Sequence, residues 1–186
     1  MIAKGLDFEK VTLVGVINAD MGLNIPDFRS AERTFQLLSQ VAGRSGRKDA
    51  LGEVILQVFD SNHYIIDKVV NHDYKGFYNK EMSIRKKLFY PPFCFIAMIR
   101  ILSKDYEYGF DISKNIGNNL RRKLPNNTVL GPTMANTFKV NNIYRFICLI
   151  KYKNKEEVNE QLNEIINLYD KSNKIKIEIE INPMRL

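Results

Sequence analysis

A glutamine and two arginines stand at helical spacing in one short segment, Q-V-A-G-R-S-G-R, at residues 40–47. Because an α-helix completes a turn in about 3.6 residues, Gln40, Arg44 and Arg47 would share one helix face, and the two guanidinium groups could be aimed at one anion. A guanidinium group is permanently charged and matches phosphate oxygens in a bidentate fork. The segment therefore indicates a site that stabilises the charge on a transferred γ-phosphoryl group.

Two glycines, Gly43 and Gly46, lie among these charged side chains. Inside a helix each glycine costs about 1 kcal/mol relative to alanine, which favours either close approach of another group or the end of the helix. A second interpretation of the segment is a solvated helix C-terminus, where the helix dipole favours cations. The segment taken alone leaves both interpretations open.

The segments around this site carry a resemblance to a known motor domain. They are K-G-L-D-F at residues 4–8, V-T-L-V-G-V-I-N-A-D at 11–20 and P-D-F-R-S-A-E-R at 26–33. Together with residues 40–47 they resemble motifs V and VI of the second motor lobe of superfamily 2 helicases. Three tail segments resemble the C-terminal domain of one such family, the PriA family of primosomal replication-restart helicases. They are Y-P-P-F at 90–93, V-L-G-P at 129–132 and I-E-I-N-P at 179–183. The resemblance covers the whole chain.

The resemblance implies an ATP-dependent DNA helicase with 3′-to-5′ polarity that recognises stalled or branched replication forks and starts primosome assembly. The cofactors it implies are ATP and Mg²⁺, with structural zinc held by cysteines upstream of these residues. The partners it implies are branched and single-stranded DNA, the single-strand DNA-binding protein and other primosome proteins. No G-x-x-x-x-G-K-[ST] phosphate loop occurs in the chain, so we expect a C-terminal portion of a longer protein that is inactive alone in ATP hydrolysis.

The resemblance also implies roles for individual residues. Arg47 is expected to act as the arginine finger on the γ-phosphate and Arg44 to contact the same phosphate, although the two could exchange roles. Gln40 is expected to hold the nucleotide or the attacking water. The remaining residues assigned by the motif pattern are Gly5, Asp7 and Gly43 as cofactor-binding residues and Lys4 on DNA phosphate.

Several charged residues keep two interpretations. Asp7 could instead be a helix or turn cap. Asp20, at the end of a predicted strand, either couples the nucleotide state to the grip on DNA or only ends its strand. Glu32 and Arg33 are predicted to be an internal ion pair rather than catalytic groups.

The net charge of +7 is unevenly distributed. Residues 1–76 carry nine Lys and Arg against ten Asp and Glu, whereas residues 77–186 carry nineteen against eleven. A basic tail attached to a motor indicates a polyanionic partner, although any one charge cluster is usually a solvated face. Aromatic residues interleaved with the cations could stack on bases but are more typical of a core. The predicted DNA contacts in this tail are Arg121, Arg122, Lys123, Lys151 and Lys153.

Two cysteines, Cys94 and Cys148, lie far apart in apolar, strand-like surroundings. We predict buried thiols and no metal site, because a zinc site needs closely spaced ligand pairs. The longest apolar runs are far shorter than the ~20 residues needed to cross a bilayer. We therefore expect a cytoplasmic protein without a membrane partner.

The predicted fold class is α/β, in three parts. Residues 1–75 are expected to form part of a RecA-like helicase lobe 2, with parallel strands at 11–17 and 54–59 and a helix from 31 capped by Ser30. Helix is expected from about residue 62 to residue 88, and residues 76–92 are a helical connector ending in Y-P-P-F. Residues 93–186 are a basic α+β domain in the order β-α-β-β-α-β, a split βαβ sheet with both helices on one face. Its second strand is expected to be short, at 129–130, and to end at Gly131-Pro132. A polar turn at 139–142, which could be a mobile loop, is expected between the middle strands.

A rival function needs no catalysis. A nucleic-acid-binding module with a split βαβ fold could use the basic tail alone, with residues 40–47 as an incidental phosphate clamp. The two hypotheses differ in what they require of Gln40, Arg44 and Arg47, because only a motor lobe needs them to converge on one cleft with Gly5 and Asp7.

Overall fold

The computed structural model describes residues 12–43 and 52–185, and the chain divides into two compact units, Met1–Lys87 and Leu88–Leu186. The first unit contains β1 (Leu13–Val16), a 3-10 helix (Met21–Asn24), α1 (Ser30–Ala42), β2 (Glu53–Leu56), α2 (Tyr64–Val70) and α3 (Tyr74–Lys87). The second contains β3 (Phe95–Ser103), α4 (Tyr106–Lys123), β4 (Thr128–Val140), β5 (Ile143–Tyr152), α5 (Lys155–Tyr169) and β6 (Ile175–Ile181).

The first unit contains a parallel strand pair joined through α1. β1 and β2 pair in register from Leu13 opposite Glu53 to Val16 opposite Leu56. The connection between parallel strands must cross over the sheet, and α1 provides this crossover. Both predicted strands are therefore present but shorter than expected. The described part of this unit is a two-stranded parallel sheet with helices.

Three helices supply most of the core of the first unit. Phe35 and Leu38 of α1 pack with Ile65 of α2 and Phe77 of α3, and the rings of Phe35 and Phe77 stack at 4.0 Å between centroids. The helical stretch expected between residues 62 and 88 is two helices rather than one, because His72 between them has a left-handed φ of 50°. α3 belongs to this unit through Phe77.

The second unit has the predicted order β-α-β-β-α-β. Its four strands form an antiparallel sheet in the order β4-β5-β3-β6. One core contains side chains of both helices, including Ile116 and Leu162, and one set of alternating strand residues, including Ile99 and Cys148. Because alternate residues of a strand point to the same face, α4 and α5 cover one face of this sheet.

One prediction in the second unit needs correction. β4 continues through Gly131, which has a φ of +92°, and runs to Val140, whereas the sequence indicated a strand that ended at the Gly131-Pro132 pair. The polar turn expected at 139–142 is present as a two-residue hairpin turn at Asn141 and Asn142, with φ of 50° and 61°. Asparagine tolerates this conformation, which matches the right-handed twist of the flanking strands.

Candidate functional site

α1 carries the start of the predicted phosphate site. Its buried residues Phe35, Leu38 and Val41 recur every three positions and hold one side of the helix against the core. The helix ends at Ala42, and the N–H of Gly43 donates to the carbonyl of Ser39 at 3.1 Å. This agrees with the helix-end interpretation of Gly43. Arg44 and Arg47 lie outside the described residues, so the helix face that they would share with Gln40 stays a prediction.

The predicted site residues fall partly within the described structure. Gln40 lies exposed in the last turn of α1, and the exposed Gly43 follows that helix. Both arginines of the segment and the three motif V residues lie outside the described residues, so their assignments stay predictions. These five residues are Arg44, Arg47, Lys4, Gly5 and Asp7.

The start of α1 is organised by Asp27. Its carboxylate accepts the backbone N–H of Arg29 at 2.9 Å and pairs with the guanidinium of Arg33 at 2.9 Å. The predicted cap residue Ser30 is instead the first residue of the helix, whose N-cap position is Arg29. A buried carboxylate that accepts backbone N–H groups and a cation at a helix start is a strong local anchor.

A buried ion network joins α1 to α3. Arg85 donates to Glu81 at 2.8 Å and to Glu32 at 2.9 Å, and the hydroxyl of Tyr64 donates to Glu81 at 2.8 Å. Burial disfavours the charge on Arg85, but the two carboxylates outweigh it and raise the pKa of Arg85. Burial and Glu81 raise the pKa of Tyr64. Glu32 thus pairs with Arg85, and Arg33 pairs with Asp27. Glu32 and Arg33 do not pair with each other.

Asp20 connects the carboxyl ends of the parallel strands. It lies at the turn after β1, and its Oδ2 accepts the backbone N–H groups of Phe59 at 2.7 Å and Asp60 at 3.1 Å beyond β2. Burial disfavours ionisation, but the N–H groups of Asp60 and Phe59 outweigh it and lower the pKa of Asp20. Its Oδ1 is buried without a partner among the residues described. Asp20 therefore does more than end its strand, because it links the turn after β1 to the backbone beyond β2.

The three cations at the end of α4 have different partners. Arg121 donates to the carbonyl of Gly131 and to Oδ1 of Asn118. Arg122 donates to Oδ1 of Asn119 at 3.1 Å. Lys123 pairs with Glu164 at 2.6 Å. All three cations are exposed. Because the partners of the two arginines are neutral, only the charge of Lys123 is offset.

Lys151 and Lys153 differ sharply in exposure. The Lys151 side chain is buried, donates to the carbonyl of Leu88 at 3.1 Å and lies 3.4 Å from the ring centroid of Tyr90. Burial lowers the pKa of Lys151. This buried position disfavours the DNA contact predicted for Lys151. Lys153 is exposed, with its amine 5.7 Å from the ring centroid of Phe89.

The aromatic cluster around Tyr106 and the two cysteines of the tail belong to its interior. Tyr106 packs against Phe110, Phe138 and Tyr144 with centroid distances of 5.6 to 6.0 Å, as expected of a core rather than a base-stacking surface. Cys94 and Cys148 are free and buried, as predicted. Within residues 12–43 and 52–185, no three His, Cys, Asp or Glu side chains are grouped so as to hold a metal ion.

Asn182 has a structural role that none of the sequence predictions assigned to it. It has a left-handed φ of 51°, its N–H donates to the carbonyl of Ile96 at 2.7 Å, and its Oδ1 accepts the Ile96 N–H at 3.1 Å. The signal was present in the I-N-P segment, because asparagine adopts left-handed backbone angles and can replace a backbone acceptor. The helices of the described segments include none with the length and apolarity of a bilayer span.

The fold combines a parallel α/β unit with a basic split βαβ unit, and comparison with known proteins identifies the class. The family model described as the Primosomal protein N C-terminal domain matches residues 86–184. The chain belongs to this PriA C-terminal domain family. Its tail segments Y-P-P-F, V-L-G-P and I-N-P lie inside the matched region.

Curated relatives named Replication restart protein PriA match almost the whole chain. The relative from Bacillus subtilis (strain 168) is 40% identical over 187 residues, which cover 98% of this chain and 23% of that protein. Those from Chlamydia pneumoniae and Borreliella burgdorferi are 37% and 35% identical and cover 99% and 100% of this chain but 25% and 28% of their own length. The chain thus spans about a quarter of these relatives and corresponds to the C-terminal region of PriA.

Among solved structures, the de novo designed protein Foldit4 matches 50% of this chain and 99% of its own length, at 18% identity and a TM-score of 0.40. This likeness is too low to support an argument about the fold.

Proposed function

We propose that this chain is the C-terminal part of an ATP-dependent superfamily 2 DNA helicase that acts in replication restart. The observation that carries the proposal is the match of nearly the whole chain to proteins named Replication restart protein PriA. The parallel strand pair with its crossover helix is compatible with part of a RecA-like motor lobe. The activity belongs to the longer protein, since the chain has no phosphate-binding loop.

In this proposal α1 positions the phosphate-contacting residues. The exposed amide of Gln40 lies in its last turn, and Arg44 and Arg47 follow in the sequence directly after the helix end at Gly43. Two guanidinium groups there would stabilise negative charge on a phosphoryl group. Bound ATP with Mg²⁺ would supply the phosphoryl group that is transferred to water. The ion network around Arg85 supports the proposal because it holds α1 against α3.

The second unit is proposed to hold branched or single-stranded DNA and to contact primosome proteins and the single-strand DNA-binding protein. Arg121, Arg122 and Lys153 are exposed cations whose charges are not offset by carboxylates in any contact described above. Each phosphate contact by such a cation makes binding weaker at higher salt. The 3′-to-5′ polarity and any zinc upstream of these residues are part of the same proposal and rest on the family resemblance.

The test uses the longer protein and measures ATP hydrolysis stimulated by forked DNA, together with binding of the same DNA. Arg47→Ala is expected to lower hydrolysis by about 10³-fold or more, the range attributed to arginine fingers, with DNA binding retained. Lys80→Ala, which removes an exposed cation of α3, is the matched control and should leave both measurements unchanged. Unchanged hydrolysis in Arg47→Ala would contradict the motor assignment and leave a noncatalytic nucleic-acid-binding module.

A further inference from the structure

Lys151 is a buried cation near the end of β5, and no carboxylate of the described residues pairs with it. Its amine donates to the carbonyl of Leu88 and lies over the ring of Tyr90. A buried charge without a counter-ion costs stability that an apolar side chain of similar size would avoid. Such a departure from good packing is typical of a position with a functional role. The contact of Lys151 with residues 88–90 therefore does more than stabilise the sheet.

Residues 88–90 have a strained backbone. Phe89 has a left-handed φ of 52° at the second position after α3, which ends at Lys87. Glycine is the usual residue at this place after a helix, because a bulky side chain is strained in this conformation. Two further contacts hold Phe89: the Cys94 thiol donates to its carbonyl at 3.3 Å, and the Lys153 amine lies near its ring. A strained segment held by several contacts is suited to change its conformation when one contact is lost.

The same segment connects the residues that the proposed function uses. Lys153 is an exposed cation proposed to contact DNA, and it follows Lys151 by two positions. Arg85 lies in the last turn of α3, directly before the segment, and donates to Glu32 of α1 at 2.9 Å. α1 in turn ends just before Arg44. Each step from Lys153 to α1 is therefore a covalent connection or one of the contacts described above.

We propose that Lys151 is a positioning residue that couples DNA binding by the second unit to ATP hydrolysis, by holding residues 88–90 at the end of α3. A DNA phosphate bound at Lys153 draws this amine away from the Phe89 ring and favours relaxation of the left-handed backbone. Because Lys151 ties the Leu88 carbonyl to β5, the change is carried into α3 and on to Glu32. The inference rests on the proposed function, since it needs a motor that DNA stimulates.

The test measures, in the longer protein, the ratio of ATP hydrolysis at saturating forked DNA to hydrolysis without DNA. Lys151→Met removes the cation but keeps a side chain of similar length. It is expected to lower this ratio by about 2- to 30-fold, the range of changes in coupling between sites, with the affinity for the same DNA retained. Lys155→Met makes the same substitution at an exposed position at the start of α5. It is the matched control and should keep the wild-type ratio.

A double-mutant cycle separates coupling from a general loss of stability. Glu32→Gln removes the charge that Arg85 binds at the other end of the path. Its effect on the ratio should not add to that of Lys151→Met, whereas it should be the same with and without Lys155→Met. Phe89→Gly is a second variant, because glycine suits a φ of 52° and keeps the helix end folded. This variant removes the ring near Lys153 and should also lower the ratio.

The results that would overturn the proposal are distinct from a failure of the proposed function. A wild-type ratio in Lys151→Met would overturn it, and so would additive effects of Lys151→Met and Glu32→Gln. A loss confined to DNA affinity would make Lys151 a DNA contact and would overturn it as well. The proposed function itself fails if Arg47→Ala hydrolyses ATP as the wild type does, or if DNA does not stimulate the wild type.

Discussion

Arg85 near the end of α3 donates to Glu32 in the first turn of α1, 53 positions earlier in the chain, at a distance of 2.9 Å. The same guanidinium donates to Glu81, so one buried cation serves a carboxylate from each helix. Glu32 belongs to the P-D-F-R-S-A-E-R segment that carries the resemblance to superfamily 2 helicases. This part of the segment therefore has a structural role, which is to fix α1, the helix that ends just before Arg44.

Replacing Arg85 by alanine should destabilise the first unit strongly. The change leaves the buried carboxylate of Glu81 without its cation, and breaking such a pair typically costs about 3–5 kcal/mol. Lys86→Ala removes an exposed cation at the next position and should change the free energy of unfolding by less than about 0.5 kcal/mol. Urea denaturation of both variants measures the free energy of unfolding. Equal losses in the two variants would contradict a strong stabilisation by the ion network around Arg85.

Asn182 should matter through both its side chain and its backbone. Asn182→Ala removes the acceptor for the Ile96 N–H and places an alanine at a φ of 51°, for an expected loss of about 1–3 kcal/mol. Asn182→Gly relieves only the backbone strain and should lose less. Asn163→Ala, at an exposed position of α5, is the control. If alanine and glycine at position 182 had equal effects, the strain would make no contribution.

Gly131 cannot carry a side chain without a change of structure. It has a φ of +92°, and a Cβ atom there would lie 2.6 Å from the carbonyl oxygen of Ile147. We expect Gly131→Ala to destabilise the chain by about 1–3 kcal/mol. Gly15→Ala offers a comparison in β1, because a Cβ atom there has no heavy atom of the described residues within 4 Å. Thermal unfolding of the two variants should separate these positions clearly.

The thiol of Cys148 should be inert in the folded protein. Burial raises the pKa of this thiol to about 12, so almost none of the reactive thiolate form exists at pH 8. Cys94 is also buried, and burial raises its pKa as well. A thiol reagent at pH 8 should modify both cysteines rapidly in denaturant and neither without it. Fast modification of Cys148 under native conditions would contradict its place in the core.

The charge of Lys151 should make stability depend on pH in a predictable direction. Burial lowers the pKa of Lys151 in the folded chain, so between that pKa and the ordinary lysine value the unfolded chain binds more protons. This residue therefore adds stability as pH rises through that window. Other groups titrate there too, so the measurement is the difference in unfolding free energy between the wild type and Lys151→Met. That difference should shift in favour of the wild type as pH increases.

Patterns of short range could be predicted from the sequence because they depend on neighbours along the chain. The order of the strands and helices, the burial of both cysteines and the alternation of Ile175 to Ile181 follow from periodicity and composition. The continuation of β4 past Pro132 was missed, because a Gly-Pro pair usually ends a strand and pairing with β5 overrides this local preference.

The sequence by itself determined the family, through motifs in a fixed order, and the split βαβ order of the tail. Only the tertiary structure decided which charged groups are paired. Glu32 pairs with Arg85 rather than with Arg33. Lys151 is buried against the ring of Tyr90, whereas Lys153 is exposed. The physical reason is that ion pairs and burial depend on residues brought together across tens of positions, and no local spacing records those contacts.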